Sequence, residues 1–551
     1  MTRRFLFALC AVAASCAPPP PARGETLLFV DDHEVLYRSG TRQVVHPLKK
    51  YAQNPVVTPD NPERPWEKSI QWVSVYRDPQ SGKLQMWYQA WSGKGAEDKR
   101  FKSVVAYAES TDGLNWTKPD LTLFPYRTRG YDVAKSNIVL VGHADGYGDR
   151  YSNSVVVRPD EPDPAKRYKL AYYDWDGKPG EAGVAGLCVA FSPDGVQWTK
   201  QGDGVIQPTG FGAKTMPPPF ADESRYFHLK NPDGREWRQW RYTETLSDAV
   251  DALWDARLGR YVIYGKMWVQ GPDGGLAWKH GMGRTESADF LHWSKPQLLL
   301  TTGEDDPPNL EFHTSPVFLH EGVYFSLNQL FTRENGTIDN ELITSRDGLK
   351  WDRRFARQTI LPRGGKKAFD ASFVLTNGNL IEMGDEFWFY YGGNRGLVRF
   401  PNPDEPDMSP RATQFGSGVG LATVKRDRFV GIVPDPKASL RNWNPNDPNR
   451  KPEPKANKIG QVTLRPRDLS NVKRITINAD AARGSLRLEV LDEDGYRVRG
   501  FTKDDFRPLT ADALAHEAAW QEKSLADLPA GRYHLRAHLD GAELFALTLL
   551  E

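Results

Sequence analysis

Ser110-Thr-Asp-Gly-Leu-Asn-Trp116 follows the alternating apolar stretch Val104–Ala108 and is the first of four copies of one pattern. The other copies are Ser192–Trp198, Ser287–Trp293 and Ser345–Trp351. In such a turn the Ser and Asp side chains cap backbone amides, a Gly supplies a positive φ, and the Trp packs back on the sheet. The pattern therefore predicts repeated β-hairpin turns with a structural role rather than a catalytic one.

A second pattern precedes these turns and consists of an apolar strand, a polar turn and an aromatic strand. Its five instances run from Val73–Tyr76 to Met86–Tyr88, Ser154–Val157 to Tyr168–Tyr172, Ala252–Trp254 to Tyr261–Tyr264, Pro316–Leu319 to Val323–Phe325, and Phe373–Leu375 to Phe387–Tyr390. Units of this kind cannot bury both faces alone and stack around an axis. The sequence predicts an all-β fold with a five-bladed β-propeller.

The remaining segments set the predicted domain limits. Residues 25–432 form the propeller with an N-terminal strand segment, and residues 433–458, rich in Pro, Asn, Asp and Lys, form a linker. Residues 459–551 alternate polar and apolar positions without the turn pattern, which predicts a C-terminal β-sandwich.

The first residues predict export. Thr2–Arg4 and the apolar stretch Phe5–Ala14 form a signal peptide within residues 1–24, too short to span a membrane as a helix. Small residues directly before Cys16 are similar to a bacterial lipobox, so lipid anchoring at Cys16 and ordinary cleavage both stay open. The expected location is secreted or periplasmic, with an outer-membrane lipoprotein as the lipidated alternative.

Composition excludes several functional classes. The 551 residues contain 72 Lys and Arg against 71 Asp and Glu, which leaves no global field to attract nucleic acid. No zinc-ligand spacing, phosphate-binding loop or dinucleotide fingerprint occurs, so no cofactor is expected. Cys188 lies in an apolar strand, apart from the two signal-segment cysteines, and is interpreted as a core residue.

Carboxylates mark the predicted start of every innermost propeller strand, and these starts converge on one funnel. They are Glu67, Asp149, Asp248, Glu311 and Asp370, with Asp251 inside the third of these strands. Two carboxyl groups astride a scissile bond are the minimum apparatus for glycoside hydrolysis, and crowding raises the pKa of some of them. We interpret Glu67, Asp248, Asp370 and Glu311 as catalytic, and Asp149 and Asp251 as substrate-binding.

Aromatic and basic residues near the funnel are expected to hold a sugar. The candidates for stacking are Trp66, Trp72, Trp91, Trp175, Trp268 and Tyr391. His313 and Arg395 are candidates for hydrogen bonds to hydroxyl groups or a substrate carboxylate. The acidic funnel also allows a structural Ca²⁺, whose preferred ligands are hard oxygens, although no metal is required.

The five-unit plan, the hairpin pattern Tyr107–Trp116 and the trailing sandwich resemble the five-bladed glycoside hydrolases of families 32 and 43. Secreted bacterial proteins similar to family 32 also share an opening like Leu28–His33 and a phrase like Pro65-Trp66-Glu67. The resemblance implies that Glu67 stands where the blade-one base or nucleophile stands, Asp149 at the orienting acid and Asp248 near the blade-three acid. The family-32 W-x-N-D-P-N and Glu-Cys motifs are absent.

Three functions stay open on this sequence. The first is an exported glycoside hydrolase acting on an oligo- or polysaccharide. The second is a non-catalytic glycan-binding propeller that kept the fold and lost the chemistry, since propellers serve many functions. The third is a metal-dependent lyase or phosphoesterase that uses the acidic ring as a cation site.

Overall fold

The computed structural model describes residues 24–92, 98–128, 130–142, 151–176, 184–201, 205–208, 226–230, 236–240, 246–270, 277–396, 416–437 and 458–551. The chain forms two compact units: the larger spans Gln43–Ile432, and the smaller combines the chain before Gln43 with the chain after Ile432. Regular structure in the described residues is β-strand with short 3₁₀ turns at Lys99–Phe101, Pro164–Lys166 and Leu525–Asp527. The predicted all-β class is confirmed.

The larger unit contains five groups of antiparallel strands in chain order. Group 1 comprises Ser69–Arg77, Leu84–Trp91, Ser103–Ser110 and Ile138–Leu140; group 2 comprises Tyr151–Val157, Tyr168–Asp176, Val184–Ser192, Thr199–Lys200 and Gln207–Pro208. Group 3 comprises Leu246–Asp255, Arg260–Gln270, Ala277–Ser287 and Gln297–Leu300; group 4 comprises Leu310–Phe312, Val317–His320, Val323–Thr332 and Thr337–Ser345.

Group 5 takes its outermost strand from the start of the larger unit. It comprises Phe373–Leu375, Ile381–Met383, Glu386–Asn394, Ser417–Lys425 and Lys49–Lys50. Lys49 and Lys50 pair with Thr423 and Ala422, so a segment that precedes group 1 in the chain completes group 5. Two hairpins, Tyr126–Thr128 with Tyr131–Val133 and Tyr226–Lys230 with Glu236–Trp240, lie outside the groups.

Buried apolar clusters connect the strand groups in a cycle. Each cluster contains side chains from two successive groups, and group 5 shares one with group 1. Representative members are Trp87 and Tyr168 for groups 1 and 2, Leu187 and Val250 for 2 and 3, Tyr264 and Tyr324 for 3 and 4, Ile338 and Phe373 for 4 and 5, and Leu421 and Ile70 for 5 and 1. Burying both faces of each group therefore requires its two neighbours.

The first strands of the groups meet around a common axis. At one end of this axis, residues from all five first strands or the turns after them line a cavity of about 600 Å³. Hydrogen bonds cross between the strands: Ser74 Oγ donates to the Asn153 carbonyl at 3.0 Å, Ser154 Oγ to Asp251 Oδ1 at 2.9 Å, and Val75 N to Asn379 Oδ1 at 2.9 Å. The opposite end, where these strands begin, is called the funnel.

The four predicted turns form, and in each the Asp side chain accepts from the two backbone amides that follow at +2 and +3. In the first, the Gly113 amide donates to Ser110 Oγ, the Leu114 and Asn115 amides donate to Asp112 Oδ1, and Trp116 Nε1 donates to the Gly113 carbonyl. The third turn has Phe290 at the glycine position, with φ of 67° and its side chain fully buried. Packing of this ring offsets the strain of a left-handed backbone.

The smaller unit contains two antiparallel sheets. One holds Gly24–Leu28, Glu543–Leu550, Arg474–Asp480 and Asp512–Glu517; the other holds Val35–Ser39, Ile459–Leu464, Arg467–Asp468, Ser485–Leu491 and Arg532–Asp540. Gly24–Leu28 pairs along its whole length with Ala546–Leu550. Residues 25–42, which the sequence analysis counts with the propeller, thus group with the C-terminal sheets because their strands pair there.

The strands Thr41–Val45 and Val430–Pro434 lie where the chain passes from one unit to the other. Cys188 is buried in group 2, and its thiol lies 3.8 Å from the Gly186 carbonyl. None of the helices in the described part of the chain is long and apolar enough to span a membrane.

Candidate functional site

A cluster of charged and aromatic side chains lies at the funnel end of groups 3 and 4, with one residue from group 1. We call this set the funnel cluster. It consists of Trp72, Asp248, Lys266, Trp268, His280, Glu311, His313 and Arg333. Three of the residues predicted from strand starts, Asp248, Glu311 and His313, are therefore brought together.

Asp248 is the most accessible carboxylate of the cluster, with 36% of its side chain exposed. Its Oδ1 lies 2.5 Å from Nζ of Lys266, which is itself only 9% exposed. Burial opposes ionisation of Asp248, but the charge and hydrogen bond of Lys266, with smaller effects of His313 and His280, lower its pKa to about 2. The carboxyl group is therefore ionised at neutral pH.

Glu311 is held rigidly. Both of its oxygens accept hydrogen bonds from Arg333 Nη2, at 2.8 and 2.7 Å, and Oε2 also accepts from the His280 backbone amide at 3.1 Å. Burial raises the pKa of this group, but His280 and Arg333 outweigh burial and the pKa falls to about 2. Both Glu311 oxygens are occupied by protein donors, so this carboxylate acts on its neighbours.

His280 connects the two carboxylates. Its Nδ1 lies 3.1 Å from Glu311 Oε2, and its buried Nε2 has no hydrogen-bond partner among the described residues. Burial and the Lys266 charge lower the pKa of His280 to about 4, against the opposite effects of Glu311 and Asp248. The imidazole is neutral at pH 7, with Nδ1–H oriented toward Glu311 and the Nε2 lone pair uncommitted.

Two tryptophans enclose the histidines. The ring centroids of Trp268 and His280 are 3.8 Å apart, and Trp72 stacks on His313 at 5.5 Å with an interplanar angle of 19°. Trp72 has φ of 47° and lies at a register shift in the strand Ser69–Arg77. A bulky residue in the left-handed region costs free energy, and such residues concentrate at functional sites.

Gln329, on the strand Val323–Thr332, holds His313 in place. Its Nδ1 lies 2.9 Å from Gln329 Oε1, and burial together with the Lys266 charge lowers its pKa to about 4. With both histidines neutral, the charges of Asp248 and Glu311 balance those of Lys266 and Arg333 at pH 7. The funnel cluster is therefore polar but carries no net charge.

Glu67 and Trp66 lie elsewhere, contrary to the prediction. Glu67 is fully buried, accepts from Tyr88 OH at 2.6 Å and pairs with Lys118 Nζ at 2.6 Å. Trp66 is also fully buried and donates from Nε1 to Asn137 Oδ1 at 3.0 Å. Neither side chain is accessible to a ligand, because the chain before the first strand turns into the interior of group 1.

Asp251 ties the strand groups together rather than binding substrate. Its Oδ1 accepts from Ser154 Oγ in group 2, its Oδ2 accepts from the Gly378 amide at 2.9 Å, and the Val317 amide also donates to it. Burial outweighs these donors and raises its pKa to about 7. The high pKa of Asp251 therefore results from burial and not from repulsion by other carboxylates, and its 6% exposure keeps it from a ligand.

Asp370 and Arg395 lie in group 5. Asp370 Oδ2 is 2.5 Å from Lys50 Nζ and accepts from Tyr391 OH at 2.9 Å. Arg395 is exposed and donates to the Lys367 carbonyl at 3.2 Å. Asp149 and the side chain of Trp175 fall outside the described residues, and Trp91 is half-buried at the end of its strand.

The sequence analysis missed Lys266, His280 and Arg333 because it considered only the starts of first strands. These three residues lie on the second and third strands of group 3 and in the turn after the third strand of group 4. The available signal was Lys266-Met-Trp268, where a lysine and a tryptophan at alternate positions share one face of an otherwise apolar strand.

In the described part of the chain, no group of three or more His, Cys, Asp or Glu side chains is placed to hold a metal ion. The structural Ca²⁺ therefore stays a prediction.

No family model and no curated protein matches this sequence. Several solved structures are similar to the chain. A glycosyl hydrolase from Bacteroides ovatus has a TM-score of 0.41 at 15% identity, covering 70% of this chain and 95% of its own. A thermostable family-43 glycoside hydrolase has a TM-score of 0.39 at 12% identity, covering 70% and 96%. A GH32 β-fructofuranosidase from Bombyx mori has a TM-score of 0.38 at 11% identity, covering 92% and 94%.

These structures include the two families that the sequence motifs resemble. At such TM-scores and identities, the fold is assigned from the strand pairings and clusters given above, and a reaction can be proposed only from the funnel cluster.

Proposed function

We propose that this protein is an enzyme that cleaves glycosidic bonds of a glycan in the funnel cluster. The observation that carries the proposal is the arrangement of Asp248 and His280. An accessible, ionised carboxylate interacts electrostatically with an imidazole whose Nδ1 is engaged by Glu311 and whose Nε2 has no hydrogen-bond partner among the described residues. Trp72 and Trp268 supply apolar ring faces beside these polar groups, as a site for sugar rings requires.

Each polar group has a role in this proposal. Asp248 either takes the proton of an attacking water or adds directly to the anomeric carbon. Protonated His280 gives its Nε2 proton to the glycosidic oxygen as the carbon–oxygen bond breaks, and Glu311 stabilises the imidazolium. Arg333 is a positioning residue that keeps Glu311 in place. The anomeric configuration of the first product, read by NMR, distinguishes water activation (inversion) from direct addition (retention).

The pH dependence of hydrolysis follows from these assignments. The reaction needs Asp248 ionised, which holds above its pKa of about 2, and His280 protonated, which holds below its pKa of about 4. We expect kcat/KM to be highest near pH 3–4 and to fall about tenfold per pH unit above pH 5. Initial rates on a chromogenic glycoside measure the profile, and circular dichroism at each pH separates loss of chemistry from loss of fold.

A second candidate function is elimination from an acidic glycan. Neutral His280, oriented by Glu311, can accept a proton at Nε2. The positive charge of Lys266 interacts with this imidazole. In this reaction Nε2 takes the proton next to a uronate carboxylate, a carbon–carbon double bond forms as the bond to the leaving oxygen breaks, and the leaving oxygen takes a proton from water. It requires neutral His280, so its rate rises through pH 4 and stays high at neutral pH, opposite to hydrolysis. Ultraviolet absorbance of an unsaturated product identifies it.

The proposal extends to architecture and location. The cycle of five strand groups supports a five-bladed β-propeller over residues 43–432, and the two sheets of the smaller unit support a C-terminal β-sandwich. Export rests on the N-terminal sequence, and cleavage of a labelled full-length chain by secreting bacterial cells tests it. The mass of the processed protein distinguishes cleavage before Gly24 from a lipid at Cys16.

A further inference from the structure

A pocket of about 420 Å³ lies beside the start of group 5 and contains none of the residues of the funnel cluster. Its lining includes Lys50, Tyr51, Phe369, Asp370 and Tyr391. Volume in this range, aromatic walls and a few converging polar groups are the features of a small-ligand site.

The floor of the pocket is an ion pair. Asp370 is 2% exposed, and its Oδ2 contacts both Lys50 Nζ at 2.5 Å and Tyr391 OH at 2.9 Å. Lys50 keeps 23% of its side chain exposed. The pair presents a donor and an acceptor side by side, as vicinal sugar hydroxyls require, and its two charges cancel.

Two aromatic rings form one wall of the pocket, and the loop at Gly364, which has no side chain there, forms another. Phe369 and Tyr391 stack with their centroids 6.0 Å apart at an angle of 24°. A Cβ at Gly364 would lie 2.2 Å from Asp370 Oδ1, so only glycine allows the loop to pass this close to the carboxylate. The shape of the pocket therefore depends on the close approach of the Gly364 loop to Asp370.

Three exposed basic residues lie at the pocket or next to a residue that lines it. Lys367 lines it, Lys366 precedes Lys367, and the Arg395 guanidinium donates to the Lys367 carbonyl at 3.2 Å. All three side chains are exposed, and none forms an ion pair with a carboxylate in the described part of the chain. Because Lys50 and Asp370 neutralise each other, these three cations set the local charge, in a chain whose net charge is only +1.

We propose that this pocket binds a sugar unit that carries an anionic group, either a carboxylate or a sulfate. The sugar ring lies on Phe369, its hydroxyls bond to Asp370 and Lys50, and its anionic group faces Lys366, Lys367 and Arg395. The inference rests on the proposed function in that it assigns the substrate class: an acidic glycan with one unit held here while another is cleaved in the funnel cluster.

Binding of full-length Asp248→Asn/His280→Ala protein to a glycan array tests this proposal, since this variant lacks the reacting groups of both hydrolysis and elimination. The array carries matched neutral, uronate-containing and sulfated oligosaccharides. We expect binding to acidic glycans, a loss of about tenfold in affinity in Lys366→Ala/Lys367→Ala, and weakening by salt. Lys350→Ala, a change at another exposed lysine, is the matched control and should bind like the parent.

Phe369→Ala separates ring stacking from simple charge attraction, because it should weaken binding of the same acidic glycans with no change in salt dependence. Equal binding of neutral and acidic glycans, no glycan binding, or no effect of the lysine pair would overturn the proposal. If the parent protein cleaves no glycan yet Lys366 and Lys367 still govern acidic-glycan binding, the proposed function fails and the pocket assignment stands. Preference between uronate and sulfate arms identifies the anionic group.

Discussion

Asp248→Asn is expected to lower kcat/KM for the best glycoside substrate by about 10²–10⁴-fold, the range measured for loss of a positioned acid–base group. Asp248 is the accessible carboxylate of the funnel cluster, at 36% exposure, and its ionised form acts on the anomeric centre or the attacking water. Asparagine has nearly the same shape but can neither accept a proton at working pH nor add to carbon. Steady-state kinetics at the optimum pH give the ratio.

Glu67→Gln is the matched control for this variant. It also neutralises a carboxylate that the sequence singles out, but Glu67 is fully buried beside Tyr88 and Lys118, outside the cluster. Its kcat/KM per folded molecule should stay within about twofold of the parent, although its stability falls because Lys118 loses a buried partner. Equal loss of activity in both variants would remove Asp248 from the reaction.

Asp251→Ala is expected to lower the free energy of unfolding by about 2–3 kcal/mol, because buried donors are left without their acceptor. The carboxyl group of Asp251, in group 3, accepts from Ser154 in group 2, Val317 in group 4 and Gly378 in the turn after the first strand of group 5. Alanine leaves these donors without their acceptor near the common axis. Urea denaturation of both proteins measures the difference.

Asp251→Asn distinguishes the hydrogen bonds from the charge. Asparagine keeps one acceptor oxygen, so we expect a smaller loss than for alanine. If Asp251→Ala unfolds within about 1 kcal/mol of the parent, the carboxyl group does not tie the strand groups together.

The same residue sets a pH dependence of stability. Its pKa is about 7 in the folded chain and 3.8 in a free chain, so between these values only the folded state binds the proton. The contribution of Asp251 to the free energy of unfolding is therefore largest below about pH 4. It declines as the pH rises to about 7 and does not change further above that pH. Asp251→Asn should remove this part of the decline in a series of denaturation curves.

The sequence predicts the repeated elements because their stabilising contacts are local. Each hairpin turn is held by hydrogen bonds of its Ser and Asp side chains to backbone amides within three residues, so the pattern alone indicates the turn. The third turn is an exception to the glycine rule. Phe290 takes the positive φ that glycine takes elsewhere, and it does so because its ring is buried with Phe191 and Tyr261, which are distant in sequence.

The site is predictable only in part because its contacts are not local. The rule based on strand starts selects Asp248 and Glu311, which lie in one cluster, but it also selects Glu67, whose partners Tyr88 and Lys118 hold it in the interior of group 1. His280 becomes a candidate only when the third strand of group 3 is placed beside Glu311. Charge pairing across strands therefore decides which carboxylates face the funnel.

The most direct test of the account is release of sugar from a panel of neutral and acidic polysaccharides by the full-length protein, assayed from pH 3 to pH 8. We expect new reducing ends from at least one glycan, with the rate falling above pH 5 and abolished in Asp248→Asn. Absence of cleavage of every glycan across this range, by a protein whose fold is intact, would contradict the assignment of the funnel cluster as a catalytic site.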